Sequence, residues 1–350
     1  MDNHHESPAP EDEFSQMEKM LSDAQEKLAK FQREHEKKQD PGAESKPEQP
    51  KAEPVNLFAQ ICRKLPEDQF FLGCRLQDDE PIAIPMGEWH RMGVYIGKKS
   101  MSKKVLGNLL TSAKHVNAQV MVLRRKLFTE FETGALFQHA KLAPGDAFYW
   151  NGDASGMEIL TRVLHREITN QNAVRDEYCE KNGIAADDPQ RTAKASAYIR
   201  QNTRPLLVVF ESVADLTRAG APEDIAEGLR LYLTASGAYN IRFMGVFSPD
   251  DGEAVWEHPL ARAFTEAGCA LFTGGNYGGQ RLADIPAETA AETADDDFVL
   301  RKGTESITGM MPSGNLNTDL DEFAMALQEL MQATREYEEP DDPSAGEAET

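Results

Sequence analysis

From Phe14 the apolar positions fall at Phe14, Met17, Leu21, Ala24, Leu28 and Phe31, alternating spacings of three and four. That is the seam of a heptad helix, predicted over 13–38, with charges on the remaining positions. The pattern stops in 39–54, where Pro, Glu and Lys leave too little apolar surface to fold. Near Val55 it changes character. A helix is predicted at 56–65, then strands at 70–75 and 81–85 joined across the turn residues 77–80. A short apolar strand at 92–96 runs through a polar loop, 97–102, into a helix at 103–114. That helix carries Val105, Leu106, Leu109 and Leu110 on one face. Further strands are expected at 119–123, 206–210, 241–247 and 269–273, and helices at 154–181, 188–201, 223–236 and 258–267. Strands alternating with helices imply a mostly parallel sheet covered on both faces, an α/β body over 55–317. Beyond it Leu320, Phe323, Leu327, Leu330, Thr334 and Tyr337 again alternate by three and four, predicting a second heptad helix at 318–338. Residues 1–12, the 39–54 linker and the 339–350 tail read as disordered.

Charge changes the picture at the ends. The 350 residues hold 59 acidic and 37 basic side chains, a net −22. Residues 1–55 hold 14 acids against 8 bases and 318–350 hold 11 against 1, so the body itself is only mildly acidic. A field of that sign repels phosphate backbones, which argues against duplex DNA or an anionic membrane as a general partner. No apolar run exceeds five residues, the length of 206–210, far below the ~18 residues that a spanning helix needs. The first 30 residues are charged and lack the apolar stretch of a signal peptide, so a cytoplasmic protein is expected. Cys62, Cys74, Cys179 and Cys269 form no CxxC pair and read as buried, reduced thiols. The eight histidines make no ligand spacing, and no metal site is expected from them.

Two stretches carry candidate chemistry. A strand feeding a glycine-led loop into a helix is the setting of a phosphate-binding loop, G-x-x-x-x-G-K-[ST]. There a lysine contacts the terminal phosphates and a hydroxyl holds Mg²⁺. Here the eight residues are Gly97-Lys98-Lys99-Ser100-Met101-Ser102-Lys103-Lys104. Gly97 and Lys103 are in place; Ser102 stands for the second glycine and Lys104 for the hydroxyl. The second stretch is the buried strand 206–210, followed by Glu211, Ser212 and Asp215. A strand ending in two carboxylates is where such ATPases bind the metal and orient water. Glu211 is one methylene longer than aspartate, and Ser212 cannot act as a base. Read from the residues alone, Glu211 and Asp215 could equally cap and solvate a strand end. The lysines of 98–104 could bind an anion or an acidic partner segment, or form a solvated face. Trp89, Trp150 and Trp256 read as core or interface anchors.

Over about 68–312 the sequence resembles an FtsK/SpoIIIE-type ATPase domain, and most closely the C-terminal ATPase module of the type VII secretion ATPase (the EssC/EccC class). The stretches that carry the resemblance are FFLGCRLQDDEPIAIPM, GVYIGKKSMSKKVLGNLL, RPLLVVFESVADL, LYLTASGAYNIRFMGVFSPDD and CALFTGGNYGGQRL, in that order and spacing. The resemblance implies a P-loop NTPase-like (RecA/FtsK-type) fold with Gly97, Ser102, Lys103 and Lys104 at the nucleotide and Glu211, Ser212 and Asp215 at the acidic strand end. The family's full-length protein also has transmembrane helices and further ATPase modules, so this chain is expected to be a stand-alone or split relative.

Carried over position by position, the roles leave a damaged site. Lys104 puts a cation where Mg²⁺ would sit, and Ser102, in a position that glycine fills by adopting left-handed backbone, implies strain of about 1–2 kcal/mol. The expectation is a pseudo-ATPase with no required cofactor, no metal and at most weak ATP binding. It would serve recognition or regulation in a type VII-like secretion system. The resemblance implies protein partners, either secretion-apparatus components or small helical secreted substrates, and recruitment to a membrane secretion complex. Two rivals stay open: a slow but genuine ATPase using Glu211 for the metal, and a coiled-coil scaffold.

Overall fold

The computed structural model describes residues 56–98, 101–124, 128–143, 145–214, 228–233, 236–248, 251, 255, 258–274, 285–286, 288–289, 293–294 and 297–312. Both heptad helices, the linker, the acidic tail and Asp215 lie outside the described residues, as do Lys99, Ser100 and Trp256.

Among the described residues ten strands make one sheet: β1 (Gln69–Arg75), β2 (Pro81–Pro85), β3 (Arg91–Tyr95), β4 (Gln119–Arg124), β5 (Ala147–Asn151), β6 (Leu206–Phe210), β7 (Ile241–Phe247), β8 (Cys269–Thr273), β9 (Asp297–Lys302) and β10 (Glu305–Met310). Their order across the sheet is β2-β1-β10-β9-β8-β3-β7-β6-β4-β5. From β8 to β5 every neighbouring pair is parallel. From β2 to β8 every pair is antiparallel. The helices are α1 (Leu57–Cys62), α2 (Ser102–His115), α3 (Glu130–His139), α4 (Ala154–Lys181), α5 (Arg191–Asn202) and α6 (Pro259–Thr265). Residues 228–233 are also helical, inside the predicted 223–236.

The central strands bury both faces, which is why β6 reads as a continuous apolar run and β7 and β8 as largely apolar ones. Alternate residues feed two cores. Val94, Val120, Val209 and Met244 pack with Val105, Leu106, Leu109 and Leu110 of α2 on one face. Tyr95, Met121, Phe210, Phe243 and Phe247 pack with Met157, Leu160 and Leu164 of α4 and Phe264 of α6 on the other. The stripe read on α2 from its sequence is thus its core face. Trp89 is buried and edges onto Phe70, and Trp150 is half-buried against the second core. The four cysteines are buried and free.

Four elements were missing from the sequence reading: α3, β5 and the hairpin β9–β10. Strand β5, AFYWN, is an edge strand with most positions half-buried, so it lacks the uniform apolar run of its neighbours. The β9–β10 hairpin turns at Gly303, whose φ of 60° is left-handed, the conformation glycine adopts at least cost.

Candidate functional site

In a parallel sheet, ligands bind at the carboxyl ends of the strands, where the loops converge. Gly97 follows β3 at that edge, and Glu211 and Ser212 follow β6, with β7 lying between the two strands. The fold therefore brings the loop and the acidic strand end, about 110 residues apart, to one side of the sheet.

The loop is braced from within the protein. Gly97 N–H donates to Thr273 Oγ1 of β8 at 2.8 Å, and that hydroxyl donates to Tyr95 O at 3.3 Å. Met101 N–H turns back to Lys98 O at 2.9 Å. An amide engaged this way is not offered to an anion. Ser102 opens α2 and is buried; Met101 precedes it in αR conformation, with no side-chain cap. The left-handed backbone expected at Ser102 is not found: among the described non-glycine residues it occurs at Asp79, Asn117 and Lys141. The helix simply starts where a glycine turn would have been, so serine fits without strain.

The lysine run is not one solvated face. Lys98 is exposed, whereas Lys104 is 6 % exposed. Lys103 Nζ lies 3.0 Å from Glu132 Oε1 of α3, with both side chains largely covered. Glu132 has a second task. Its Oε2 accepts the Thr129 N–H at 2.7 Å while Thr129 Oγ1 accepts the Glu132 N–H, the reciprocal capping box that starts α3. Burial pushes the Glu132 carboxyl upward. The Thr129 N–H, the Lys103 ammonium and the Thr129 hydroxyl outweigh that and hold it below the ordinary glutamate range.

Glu211 feeds the same construction. It is 1 % exposed, and its Oε1 accepts the Phe128 N–H at 2.7 Å. Arg124, at the end of β4, donates to Phe128 O at 3.3 Å and to Glu130 Oε1 at 3.0 Å. The acidic strand end thus fixes the residue before the α3 cap, and that cap's glutamate engages the loop lysine. Glu132 was missed in the sequence reading. Its signal was there, since Thr129-Glu130-Phe131-Glu132 has the S/T-x-x-E pattern of a capping box. Nothing in that pattern says that Glu132 reaches Lys103.

A divalent cation would need hard oxygen donors at the hydroxyl position of the loop and at the strand end. Lys104 supplies an ammonium at the first, and Glu211 Oε1 at the second is already held by an N–H. Among the described residues, these two positions do not supply the set of hard oxygen donors that Mg²⁺ takes. Among the described residues no other group of three or more His, Cys, Asp or Glu is placed to hold a metal.

No protein-family model matches the chain, and no curated protein matches it by sequence. Solved structures do match by shape. EssC (ATPases 2 and 3) from Geobacillus thermodenitrificans superposes with a TM-score of 0.52 at 14% identity, over 70% of this chain and 41% of that one. The cytoplasmic domain of the Thermomonospora curvata type VII secretion ATPase EccC gives 0.50 at 9%, over 72% and 28%. The fold is that of an EssC/EccC ATPase module. It is an α/β P-loop NTPase-like fold, as the resemblance implied, and the chain spans less than half the length of either EssC or EccC structure. In this fold Gly97 follows β3 and Glu211 follows β6, the two positions that the resemblance marks as phosphate loop and acidic strand end. No helix among the described residues is long and apolar enough to cross a membrane.

Proposed function

We propose that this chain is a catalytically degenerate EssC/EccC-like module, acting in recognition or regulation within a type VII-like protein secretion system. The observation that carries the reading is the use of Glu211. The one carboxylate described at the acidic strand end is buried and accepts the Phe128 N–H, a structural task in place of a catalytic one. Lys104 in place of the metal-binding hydroxyl and Ser212 in place of the base support it, because phosphoryl transfer rests almost wholly on positioning and electrostatics. No cofactor is required in this reading, and nucleotide binding is weak and independent of metal. The partners are proteins, either components of the apparatus or small helical exported substrates. Duplex DNA is not among them at ~150 mM salt. The heptad helices predicted at 13–38 and 318–338 are the natural means of association, and recruitment to a membrane complex would follow from it.

The test is phosphate release with ATP and Mg²⁺ by the full chain, by Lys103→Ala, and by the repaired variant Ser102→Gly, Lys104→Thr, Ser212→Asp. The expected wild-type rate is background. Clear wild-type turnover abolished by Lys103→Ala would replace this reading with a slow ATPase. Normal partner capture by a chain whose body is unfolded would replace it with a coiled-coil scaffold.

A further inference from the structure

The ion pair between Lys103 and Glu132 places a carboxylate against the one side chain that a phosphate loop dedicates to terminal phosphates. The two residues belong to different helices, α2 and α3, and meet at 3.0 Å. Glu132 is not a loose surface acid that happens to reach across. Its other oxygen is bound by the Thr129 N–H and hydroxyl, at 2.7 and 2.9 Å, so the carboxylate is oriented before it meets the lysine. The start of α3 is in turn held by Glu211 and Arg124 through Phe128. Three elements, β6, β4 and α3, therefore cooperate to present one anionic group to Lys103.

A phosphate oxygen and a carboxylate oxygen make the same charge-assisted hydrogen bond to an ammonium. We propose that Glu132 is a built-in stand-in for phosphate. A polyphosphate group gains the Lys103 ammonium only by displacing this carboxylate. The inference rests on the reading of the loop as non-catalytic, and it adds what that reading lacks: a ligand class and the residue that regulates access to it. It also separates two fates for a decayed site. A loop that had merely lost function would gain nothing when Glu132 is neutralised. A loop kept shut by an internal anion would recover affinity.

Glu132→Gln is the informative change. Glutamine keeps an oxygen for the Thr129 N–H and fits the capping box, so α3 retains its start. What it loses is the charge that competes for Lys103.

Titration calorimetry with inorganic tripolyphosphate in the absence of metal reads the outcome, using the full chain. Glu132→Gln is expected to bind about tenfold or more tightly than wild type, the equivalent of releasing one partly covered ion pair. Adding Lys103→Ala to Glu132→Gln should remove that gain. Glu130→Gln, which neutralises the adjacent acid paired with Arg124, should leave affinity within about twofold of wild type. Circular dichroism and thermal melting confirm that each variant is folded. Unchanged or weaker binding by folded Glu132→Gln overturns the proposal, as does an equal gain in Glu130→Gln. Loss of a measurable wild-type ATPase rate in Glu132→Gln also overturns it, because Glu132 would then be a catalytic base. Phosphate release and tripolyphosphate affinity are separate readouts, so failure of this inference is distinguishable from failure of the non-catalytic reading.

Discussion

Glu211 Oε1 accepts the backbone N–H of Phe128 at 2.7 Å across 83 residues of sequence. In a working ATPase the end of this strand faces metal and water. Here its carboxylate closes the buried backbone just ahead of α3. The contact gives this carboxylate an architectural task, tying the end of β6 to the start of α3.

A stability measurement follows from that role. Glu211→Ala leaves a buried N–H without its acceptor and is expected to cost about 2–3 kcal/mol in urea unfolding. Glu211→Gln keeps an oxygen acceptor and should cost distinctly less. Wild-type stability in Glu211→Ala would show that the carboxylate is held for a ligand instead.

Two glycines in helices should respond in opposite directions. A Cβ at Gly134, inside α3, meets nothing within 4 Å, so Gly134→Ala should stabilise by about 0.5–1 kcal/mol through helix propensity. A Cβ at Gly156, in the first turn of α4, would lie 1.8 Å from Asn151 O at the end of β5. Backbone cannot yield as a side chain can, and Gly156→Ala should cost about 3 kcal/mol or more, as overpacking does at its upper range. Paired thermal melts of the two variants check the sign reversal.

Arg242 is the largest fully buried side chain among the described residues, and its guanidinium donates to the carbonyls of Met86, Tyr239 and Ile241. Burial, with a smaller contribution from the charge of Arg200, lowers its pKa to about 10, so it stays charged at neutral pH. One planar group joins the connection after β2 to the start of β7. Arg242→Lys keeps the charge but loses the fork, and a loss of about 3 kcal/mol is expected from carbonyls left without donors. Arg242→Met should lose a comparable amount. Little change in either variant, read by guanidinium unfolding, would mean that the connection is held by its packing alone.

The Glu132 carboxyl also predicts a pH dependence. Its pKa in the folded protein lies below the ordinary value of 4.5, so its contribution to stability is present above that pH and disappears as pH falls through the folded value. Melting temperatures followed from about pH 6 to pH 3 should therefore fall less steeply in Glu132→Gln than in wild type. Parallel slopes would indicate that Glu132 gains nothing from Lys103 and Thr129 in the folded state.

Much of the parallel half was legible in the sequence. Strands β6, β7 and β8 are buried on both faces and so consist mostly of apolar residues, which is why their ranges were read as 206–210, 241–247 and 269–273, where they stand. Helix α4 was likewise legible at 154–181 because its core contacts recur at helical spacing through Met157, Leu160 and Leu164. The edge strand β5 and the β9–β10 hairpin were not, since each has partly exposed positions that weaken the pattern.

For the site, the sequence by itself determined which groups are present: Gly97 and Lys103 kept, Ser102, Lys104 and Ser212 substituted, and Glu211 one methylene long. It also determined that the loop joins a strand to a helix and that the acidic residues follow a buried strand, because both are local properties of the chain; their meeting on one side of the sheet came from the strand order. Only the tertiary structure decided what the remaining groups do. Lys103 meets Glu132 and Glu211 meets Phe128 because the sheet order sets β6 beside β4 and places α2 against α3. Those partners lie 29 and 83 residues away, beyond the reach of any helical or strand period. Ser102 escaped the strain expected of it for the same reason: where α2 begins is set by packing of the helix on the sheet, and that put serine on helical backbone.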